Sequence, residues 1–240
     1  MNTAILLSGG IGSRLHSDVP KQYICINNRM LITYSLITLA NSPFINQIII
    51  VAEKEWWESI LSDAAVNNVP ADKIIGFALP GFNRQASIIN GLQEILRQTK
   101  DSCITDTDTI FIHDAARPLL SEKQVSDCFN ALAGHEGVLP VLPMKDTVYL
   151  SHDGKAVSEL LDRKQLFAGQ APELFRFNEY YQANMALTPE RLAAINGSTE
   201  PAVMAGMDIV MIPGDENNFK VTTQQDLECF RSTVCVDKSQ

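Results

Sequence analysis

Residues 3–14 read TAILLSGGIGSR, an apolar run that passes directly into a glycine-rich turn and ends in a cation. The run Thr3–Ser8 has the length of a buried strand, and glycines let backbone N–H groups approach phosphate oxygens closely. In α/β sheets, ligands bind beyond the carboxyl ends of the strands. The segment therefore predicts a parallel sheet with an anion site at its first turn. An ordinary strand-to-helix turn would use the same glycines.

The glycine turn does not match two better-known phosphate motifs. Leu15 stands where a dinucleotide fingerprint needs its third glycine, and the Gly-Lys-Ser/Thr ending of a P-loop is absent. The turn alone therefore does not identify its ligand.

Apolar runs of strand length alternate with helical patterns along the chain, which is typical of a mainly parallel sheet covered by helices. The predicted strands are Thr3–Ser8, Gln47–Ala52, Lys73–Ala78, Thr109–His113, Gly137–Leu142 and Asp208–Ile212. The predicted helices are Met30–Ala40, Glu55–Val66, Gln85–Gln98, Glu122–Ala133 and Gln224–Ser232. We expect a single α/β domain over residues 1–240, because a chain of 240 residues with 45% hydrophobic composition can bury one sizeable core.

Residues 143–170 break this alternation, since they lack long apolar runs and are rich in polar and charged residues. A turn at His152–Gly154 separates Thr147–Leu150 from Ala156–Leu161, which predicts a hairpin arm that protrudes from the core. A surface loop without regular structure is the alternative, although loops of this length are uncommon.

The composition argues against several classes of protein. A formal net charge of −9 disfavours a nucleic-acid or anionic-membrane surface, because such partners need a basic face. No apolar stretch approaches the ~18 residues of a membrane helix, and the N-terminus lacks a signal-peptide pattern, so we expect a cytoplasmic protein. The five cysteines contain no C-x-x-C pair and the four histidines have no ligand spacing. Neither disulfides nor a zinc site is therefore expected.

Two cations lie close to the glycine turn. Arg14 ends the turn, and Lys21 follows a proline in the segment Pro20–Tyr23. Together they could hold one triphosphate, because arginine forks across phosphate oxygens and lysine acts as a point charge. The alternative is a pair of solvated surface charges.

A second glycine turn lies at Pro80–Ser87, between a predicted strand and a predicted helix. Its backbone and Ser87 could present polar groups to the edge of a base, while Arg84 braces the loop or the phosphates. Asn83 is also a good helix N-cap, so an ordinary helix start would explain the same residues.

The strand Thr109–His113 ends at Asp114, and Arg117 follows three residues later. A carboxylate at a strand's carboxyl end is well placed to hold magnesium, which prefers oxygen ligands and commonly bridges phosphates. Arg117 could meet a second anion, with a structural Asp114–Arg117 ion pair as the alternative. Arg163 in the arm and Lys220, which we expect on a strand, are two further candidate cations.

Taken in order, these segments resemble the cytidylyltransferases that make CDP-methylerythritol from methylerythritol 4-phosphate, and their relatives that make CDP-ribitol from ribitol 5-phosphate. The similarity runs from Ala4 to about Leu227 and involves six motifs in sequence. They are Gly-x-Gly-x-Arg, Pro-Lys-Gln-Tyr, Gly-x-x-Arg-x-x-Ser, His-Asp-Ala-Ala-Arg-Pro, Asp-Thr at 146–147 and Asn-x-Lys-x-Thr at 218–222. The resemblance implies a Rossmann-like, three-layer α/β/α nucleotidyltransferase fold, GT-A-like, with a mainly parallel sheet and a protruding β-arm.

The resemblance also implies an activity and a set of site residues. CMP would pass from CTP to a phosphorylated polyol, with methylerythritol 4-phosphate as the first choice, and pyrophosphate would leave. The implied catalytic cations are Arg14, Lys21 and Lys220. The implied CTP-binding residues are Gly9, Gly10, Gly12, Ser13, Gly81, Phe82, Arg84 and Ser87. The implied acceptor-binding residues are Asp114, Arg117, Thr147 and Arg163, of which Asp114 would also hold Mg²⁺. Thr147 and Arg163 would reach the site from the arm of a second subunit, which implies a homodimer.

Two stretches depart from the family's pattern. The family usually has Thr-Pro-Gln after the arm, whereas this chain has Gln170-Ala171-Pro172-Glu173 and therefore lacks a hydroxyl at Ala171. The family's Thr-Asp-(Asp/Glu)-Ala stretch is replaced by Ser198-Thr199-Glu200-Pro201-Ala202. We expect both changes on the acceptor side, which keeps ribitol 5-phosphate, glycerol phosphate or another polyol phosphate of surface-glycan synthesis open.

Two other classes compete with this interpretation. Asp106-Thr107-Asp108 imitates the metal-binding D-x-D of sugar-nucleotide glycosyltransferases, but it precedes a predicted strand instead of following one. A degenerate homologue that binds CTP without turning it over is the non-enzymatic alternative.

Overall fold

The computed structural model describes residues 1–10, 19–99 and 104–236. The strands are β1 (Asn2–Leu7), β2 (Cys25–Ile26), β3 (Arg29–Met30), β4 (Gln47–Val51), β5 (Ile74–Ala78), β6 (Thr109–Asp114), β7 (Gly137–Pro143), β8 (Val148–Leu150), β9 (Glu159–Leu161), β10 (Phe167–Gly169), β11 (Glu173–Arg176) and β12 (Ile209–Pro213). The helices are α1 (Leu31–Asn41), α2 (Trp57–Val66), α3 (Arg84–Thr99), α4 (Glu122–Ala131), α5 (Phe177–Met185), α6 (Pro189–Ala194), α7 (Glu200–Met204) and α8 (Gln224–Val236).

A mixed sheet of eight strands forms the centre of the molecule. β1 pairs in parallel with β4 and β6, and β4 pairs in parallel with β5. β11 pairs antiparallel with both β6 and β7, while β10 pairs antiparallel with β7 and β12 pairs in parallel with it. The carboxyl ends of β1, β4, β5 and β6 therefore meet at one edge of the sheet, where ligands bind in open α/β folds.

Both faces of the sheet are covered, because alternate residues of β1 enter two different cores. Ala4 and Leu6 pack in a cluster with side chains of α1, α2 and α4. Ile5 packs in a second cluster with side chains of α3, α5 and α7. A smaller cluster joins α8 to the start of α1. The sheet with helices on each of its two faces forms three layers, which confirms the predicted α/β/α architecture with a mainly parallel sheet.

The predicted arm is shorter than the sequence suggested. β8 and β9 form a separate antiparallel hairpin, with Val148 opposite Leu161. However, β7 runs to Pro143 and Phe167–Gly169 pairs back onto it, so both ends of the 143–170 segment belong to the main sheet. The excursion therefore covers residues 144–166.

The other predicted elements agree with the structure to within a few residues. Lys54–Trp56 is a 3₁₀ turn, so the predicted helix from Glu55 begins only at Trp57. The predicted helix to Ala133 ends at Ala131, shortly before Gly134 adopts a φ of +83°. The sequence pattern missed the hairpin of β2 and β3, the short strands β10 and β11, and helices α5, α6 and α7. Among the described residues, no helix is long and apolar enough to cross a membrane.

Candidate active site

A cleft of about 530 Å³ lies at the carboxyl ends of β1, β4, β5 and β6. Its described lining brings together the first glycine turn, the Pro20–Tyr23 segment, the second glycine turn and the end of β6. The predicted site residues in this lining are Gly9, Gly10, Lys21, Gly81, Phe82, Arg84, Ser87, Asp114 and Lys220. Gly12, Ser13 and Arg14 lie outside the described residues.

The Lys21 segment is fastened to the end of β1 by its two neighbours. Gln22 Nε2 donates hydrogen bonds to the carbonyl oxygens of Ser8 at 2.6 Å and Gly10 at 2.8 Å. The buried Tyr23 hydroxyl donates to Ser8 O at 2.9 Å, and its ring stacks on Trp56 with centroids 4.3 Å apart. Lys21 is thereby held beside the glycine turn.

The second glycine turn is shaped by Ser87 and Asn83. Ser87 Oγ accepts from Gly81 N at 3.0 Å and donates to Asn83 O at 2.9 Å. Asn83 Oδ1 accepts from Ala86 N at 2.8 Å, as an N-cap does. The Phe82 side chain is 74% exposed, so its backbone is the part fixed by the turn. The predicted helix start and the predicted binding loop are thus the same structure.

Asp114 is a buried carboxylate held by three cations. Its Oδ1 lies 3.0 Å from both Nε and Nη2 of Arg84. Its Oδ2 accepts from Lys220 Nζ at 2.9 Å and lies 3.9 Å from Arg117 Nε. Burial alone would raise the pKa of Asp114, but Arg84 and Lys220 hold that pKa well below its usual range. Asp114 therefore stays ionised and orients the cations around it.

Arg84 also faces a second carboxylate. Its Nη2 lies 3.4 Å from Glu173 Oε2 on β11, the antiparallel neighbour of β6. Burial opposes the charge of Arg84, but Asp114 and Glu173 outweigh it and raise the pKa of the guanidinium above its ordinary value. Arg84 thus links the start of α3 to the end of β6 through Asp114.

The fully buried Asn218 holds the loop that carries Lys220 in place. Asn218 Nδ2 donates to Ala171 O at 2.9 Å, and Arg117 Nη1 donates to Asn218 O at 2.7 Å. Lys220 was expected on a strand, and this was wrong. It lies between β12 and α8, where side-chain and backbone contacts, instead of a strand ladder, aim it at Asp114.

Arg117, Thr147 and Arg163 do not belong to the described lining of the cleft. Arg117 is packed against Asp114 and Asn218, and burial lowers its pKa. Thr147 is exposed at the base of the arm, and Arg163 Nη1 donates to Lys145 O at 2.6 Å within the arm. In the same chain, neither arm residue takes part in the described contacts that fix Asp114.

The described side chains do not fit a magnesium ion bound by Asp114. Both of its carboxylate oxygens already accept from cations, and three cations surround it. Across the ranges that the structure describes, no group of three or more His, Cys, Asp or Glu side chains could hold a metal ion. The donor set expected for a hard divalent cation is thus missing at this position.

The sequence did not single out Glu53, although Glu53 lines the cleft two residues beyond β4. The rule that ligands lie beyond the carboxyl ends of strands would have found it. Glu173 and Ser198 were noticed only as departures from a family pattern. Both are buried beneath the cleft, where Ser198 Oγ donates to Glu173 Oε1 at 2.5 Å.

A mainly parallel sheet whose carboxyl edge carries two glycine turns and a cluster of cations is typical of a nucleotidyltransferase. The family model described as IspD: 2-C-methyl-D-erythritol 4-phosphate cytidylyltransferase matches residues 2–234. The chain belongs to this family, which confirms the predicted enzyme class and the predicted CTP-dependent cytidylyl transfer.

Individual relatives agree with the family assignment. A 2-C-methyl-D-erythritol 4-phosphate cytidylyltransferase of Lachnospira eligens is 29% identical, covering 95% of this chain and 96% of its own. A ribitol-5-phosphate cytidylyltransferase of Lacticaseibacillus paracasei is 25% identical, covering 97% of both chains. The crystal structure of 4-diphosphocytidyl-2C-methyl-D-erythritol synthase from Anaerococcus prevotii shares the fold, with a TM-score of 0.77 at 22% identity, covering 97% and 95% of the two chains.

The D-x-D imitation at residues 106–108 lies at the opposite end of β6. Asp108 is buried and accepts from Thr105 N at 3.0 Å, while Asp106 accepts from Asn178 Nδ2 at 3.2 Å. These carboxylates precede the strand that Asp114 ends, so they face away from the cleft. The glycosyltransferase alternative has no support from this arrangement.

The contact between the two glycine turns gives a first test. A Cβ added to Gly9 would lie 2.4 Å from Cβ and Cγ of Pro80, whereas one added to Gly10 would meet no described atom within 4 Å. We expect Gly9→Ala to lower the nucleotide-free Tm by several degrees, equivalent to about 1–3 kcal/mol of overpacking. Gly10→Ala is the matched control, and thermal unfolding of both variants measures the difference. Equal melting temperatures would contradict the close approach.

His113 gives a second test, based on pH. Burial lowers the pKa of His113 to about 4, so below its unfolded value of 6.5 the unfolded chain binds the extra proton. Stability therefore falls as the pH drops from 6.5 towards 4, by about 3 kcal/mol in total. We expect His113→Gln to reduce this acid-side slope in denaturant unfolding, while the exposed His152→Gln keeps it. An unchanged slope in His113→Gln would show that another group is responsible.

Proposed function

We propose that this chain transfers CMP from CTP to 2-C-methyl-D-erythritol 4-phosphate and releases pyrophosphate. The proposal is supported by the family match over residues 2–234 and by the relative from Lachnospira eligens. The observation that carries it is the cation cluster around Asp114, which gives the cleft a positively charged end for an anionic acceptor. The turn at Gly81 and Ser87, which also lines the cleft, has polar backbone and hydroxyl groups that could meet a base.

The reaction needs no nucleophile from the protein. A phosphate oxygen of the acceptor attacks the α-phosphorus of CTP in line, forming a new P–O bond as the bond to the β-phosphate oxygen breaks. Lys21 and Arg14 would offset the negative charge that builds at the α-phosphorus, and Lys220, which lines the cleft, would hold the acceptor phosphate. The protein's contribution is therefore position and preorganised charge.

Ribitol 5-phosphate is the second candidate acceptor. A relative of similar length carries the name ribitol-5-phosphate cytidylyltransferase. The replaced segments at Ala171 and Ser198–Ala202 are the specific reason to keep it, since the expected hydroxyl at position 171 is missing. Both acceptors present a phosphate on a short polyol, so the same cations would serve either one.

We propose that magnesium enters with the triphosphate and is held by phosphate oxygens. This role differs from the one first predicted for Asp114, whose oxygens are engaged by Arg84 and Lys220. When bound, the ion would supply charge neutralisation on the pyrophosphate leaving group.

We propose that two copies of the chain associate through the arm. Tyr149 and Leu160 are opposite each other in the hairpin and are 56% and 62% exposed, and Val157 is 66% exposed. Apolar side chains gathered on a projecting hairpin are typical of a protein–protein interface. Association would also allow Thr147 and Arg163 of one chain to approach the cleft of the other.

We propose a cytoplasmic location. Four of the five cysteines are described, and all four are free thiols, whereas Cys103 lies outside the described residues. Unpaired thiols are typical of proteins kept in a reducing compartment.

A panel assay tests the proposed function directly. CTP, magnesium and purified protein are mixed with 2-C-methyl-D-erythritol 4-phosphate, ribitol 5-phosphate or glycerol 3-phosphate, and pyrophosphate release is measured. We expect release with the first acceptor and a loss of roughly 100- to 1,000-fold in kcat for Lys21→Ala. Lys123→Ala is the control, because Lys123 pairs with Asp127 on the outer surface of α4. If no acceptor leads to pyrophosphate release, the proposed enzymatic activity would be contradicted, and a homologue that binds CTP without turning it over would be favoured.

The oligomeric state of the protein tests the proposed role of the arm in dimerisation. Leu160→Asp places a charge in the apolar face of the hairpin, so we expect a shift from dimer to monomer in light scattering. Val66→Asp is the matched control, since Val66 is 74% exposed on α2, away from the arm. A wild-type protein that is monomeric at micromolar concentration would contradict the dimer.

A further inference from the structure

The two stretches that depart from the family's pattern meet in a single buried contact. Ser198 Oγ donates to Glu173 Oε1 at 2.5 Å, and the two residues are 1% and 8% exposed. The sequence places them 25 residues apart and gives no reason to connect them. Their contact shows that the two departures belong to one structural arrangement.

Glu173 connects that contact to the cation cluster. Its other oxygen, Oε2, lies 3.4 Å from Arg84 Nη2, and Arg84 in turn lies 3.0 Å from Asp114 Oδ1. Arg84 thus bridges carboxylates on two neighbouring antiparallel strands, β11 and β6. With Asp114 Oδ1 engaged by Arg84, Oδ2 is left to Lys220.

We propose that Glu173, held by Ser198, is a positioning residue that fixes Arg84 and thereby orients Asp114 and Lys220 towards the acceptor. The proposal rests on the proposed function, because it assumes that Lys220 meets the acceptor phosphate. In the family's pattern an amide stands at the position of Glu173 and acidic residues stand in the stretch replaced at 198–202. In this chain a carboxylate stands at Glu173 on β11 and a hydroxyl stands at Ser198, while the replaced stretch keeps one acidic residue, Glu200.

The burial of these residues bears on whether the departures from the family's pattern alter the acceptor site. Ala171, Glu173 and Ser198 are buried, and none of them belongs to the described lining of the cleft. The substitutions therefore rebuild the support beneath Arg84 and leave the cations at the cleft in place. The proposed contact of Lys220 with the acceptor phosphate does not depend on a side chain at these positions reaching the cleft.

Whether loss of the Glu173 carboxylate weakens or strengthens anion binding distinguishes a positioning role from a purely electrostatic one. Loss of the Glu173 carboxylate leaves the cluster more positive, so a purely electrostatic role predicts tighter anion binding. A positioning role predicts weaker anion binding, since Arg84 would lose one of its two anchors and would no longer fix the orientation of Asp114 and Lys220.

The experiment is a double-mutant cycle with Glu173→Gln, Ser198→Asp and the double variant. We expect each single variant to lose about tenfold in kcat/KM for the acceptor, with KM for CTP within about twofold of wild type. Ser198→Asp loses activity because two carboxylates would be buried side by side. The double variant, which has one carboxylate and one amide, should return to within about threefold of wild type.

Two further variants control the cycle. Ser198→Ala removes only one hydrogen bond and should fold, so an acceptor KM raised by a few-fold supports the proposal even if Ser198→Asp does not fold. Glu94→Gln removes a carboxylate that pairs with the exposed Arg97 and should change neither substrate's constants. Losses that are equal for CTP and acceptor, or a double variant no better than the worse single one, would overturn the positioning role.

Calorimetry with inorganic phosphate separates this inference from the proposed function. If wild type released no pyrophosphate with any acceptor, the proposed function would fail, and phosphate binding would still decide the role of Glu173. Weaker binding in Glu173→Gln supports positioning, whereas unchanged or tighter binding overturns it. If wild type is active and Glu173→Gln matches it for both substrates, the inference fails alone.

Discussion

The buried Asp114 carboxylate, gripped by Arg84 and Lys220, is the interaction on which the site depends. An ionised group at 6% exposure is stable only where its partners compensate for lost hydration, so the cations must be present and correctly aimed. Arg84 and Lys220 come from distant parts of the chain, and a third cation, Arg117, follows Asp114 by three residues. One carboxylate therefore ties the helix after β5, the end of β6 and the loop after β12 into a single unit.

This constraint explains how a chain with a net charge of −9 can bind anions. The positive charges required are few, but they are concentrated where strand ends and loops converge, and the acidic surplus lies elsewhere on the surface. The net charge of a protein therefore indicates whether it can bind large anionic partners such as nucleic acids. It does not indicate whether a cleft can bind one small phosphorylated molecule.

The sequence was sufficient for features that depend on neighbours in the chain. The apolar run before Gly9, the turn at Gly81 and the strand that ends at Asp114 each carry a local pattern, so the parallel sheet and its ligand edge could be predicted. Glu173 could not be found in the same way, because its role arises from the pairing of β11 with β6. Lys220 was misplaced on a strand for a related reason, since Asn218 and Ala171 hold its loop through contacts that no local pattern encodes.

The amide of Gln22, which holds the carbonyl oxygens of Ser8 and Gly10, sets the polarity of the first turn. In a trans peptide unit the C=O and the following N–H point in opposite directions. Because the Ser8 carbonyl accepts from the Gln22 amide, the N–H of Gly9 points away from that amide. Two hydrogen bonds from one side chain thus fix the peptide units that carry the Ser8 and Gly10 carbonyls, so this part of the turn has little conformational freedom left to lose on ligand binding.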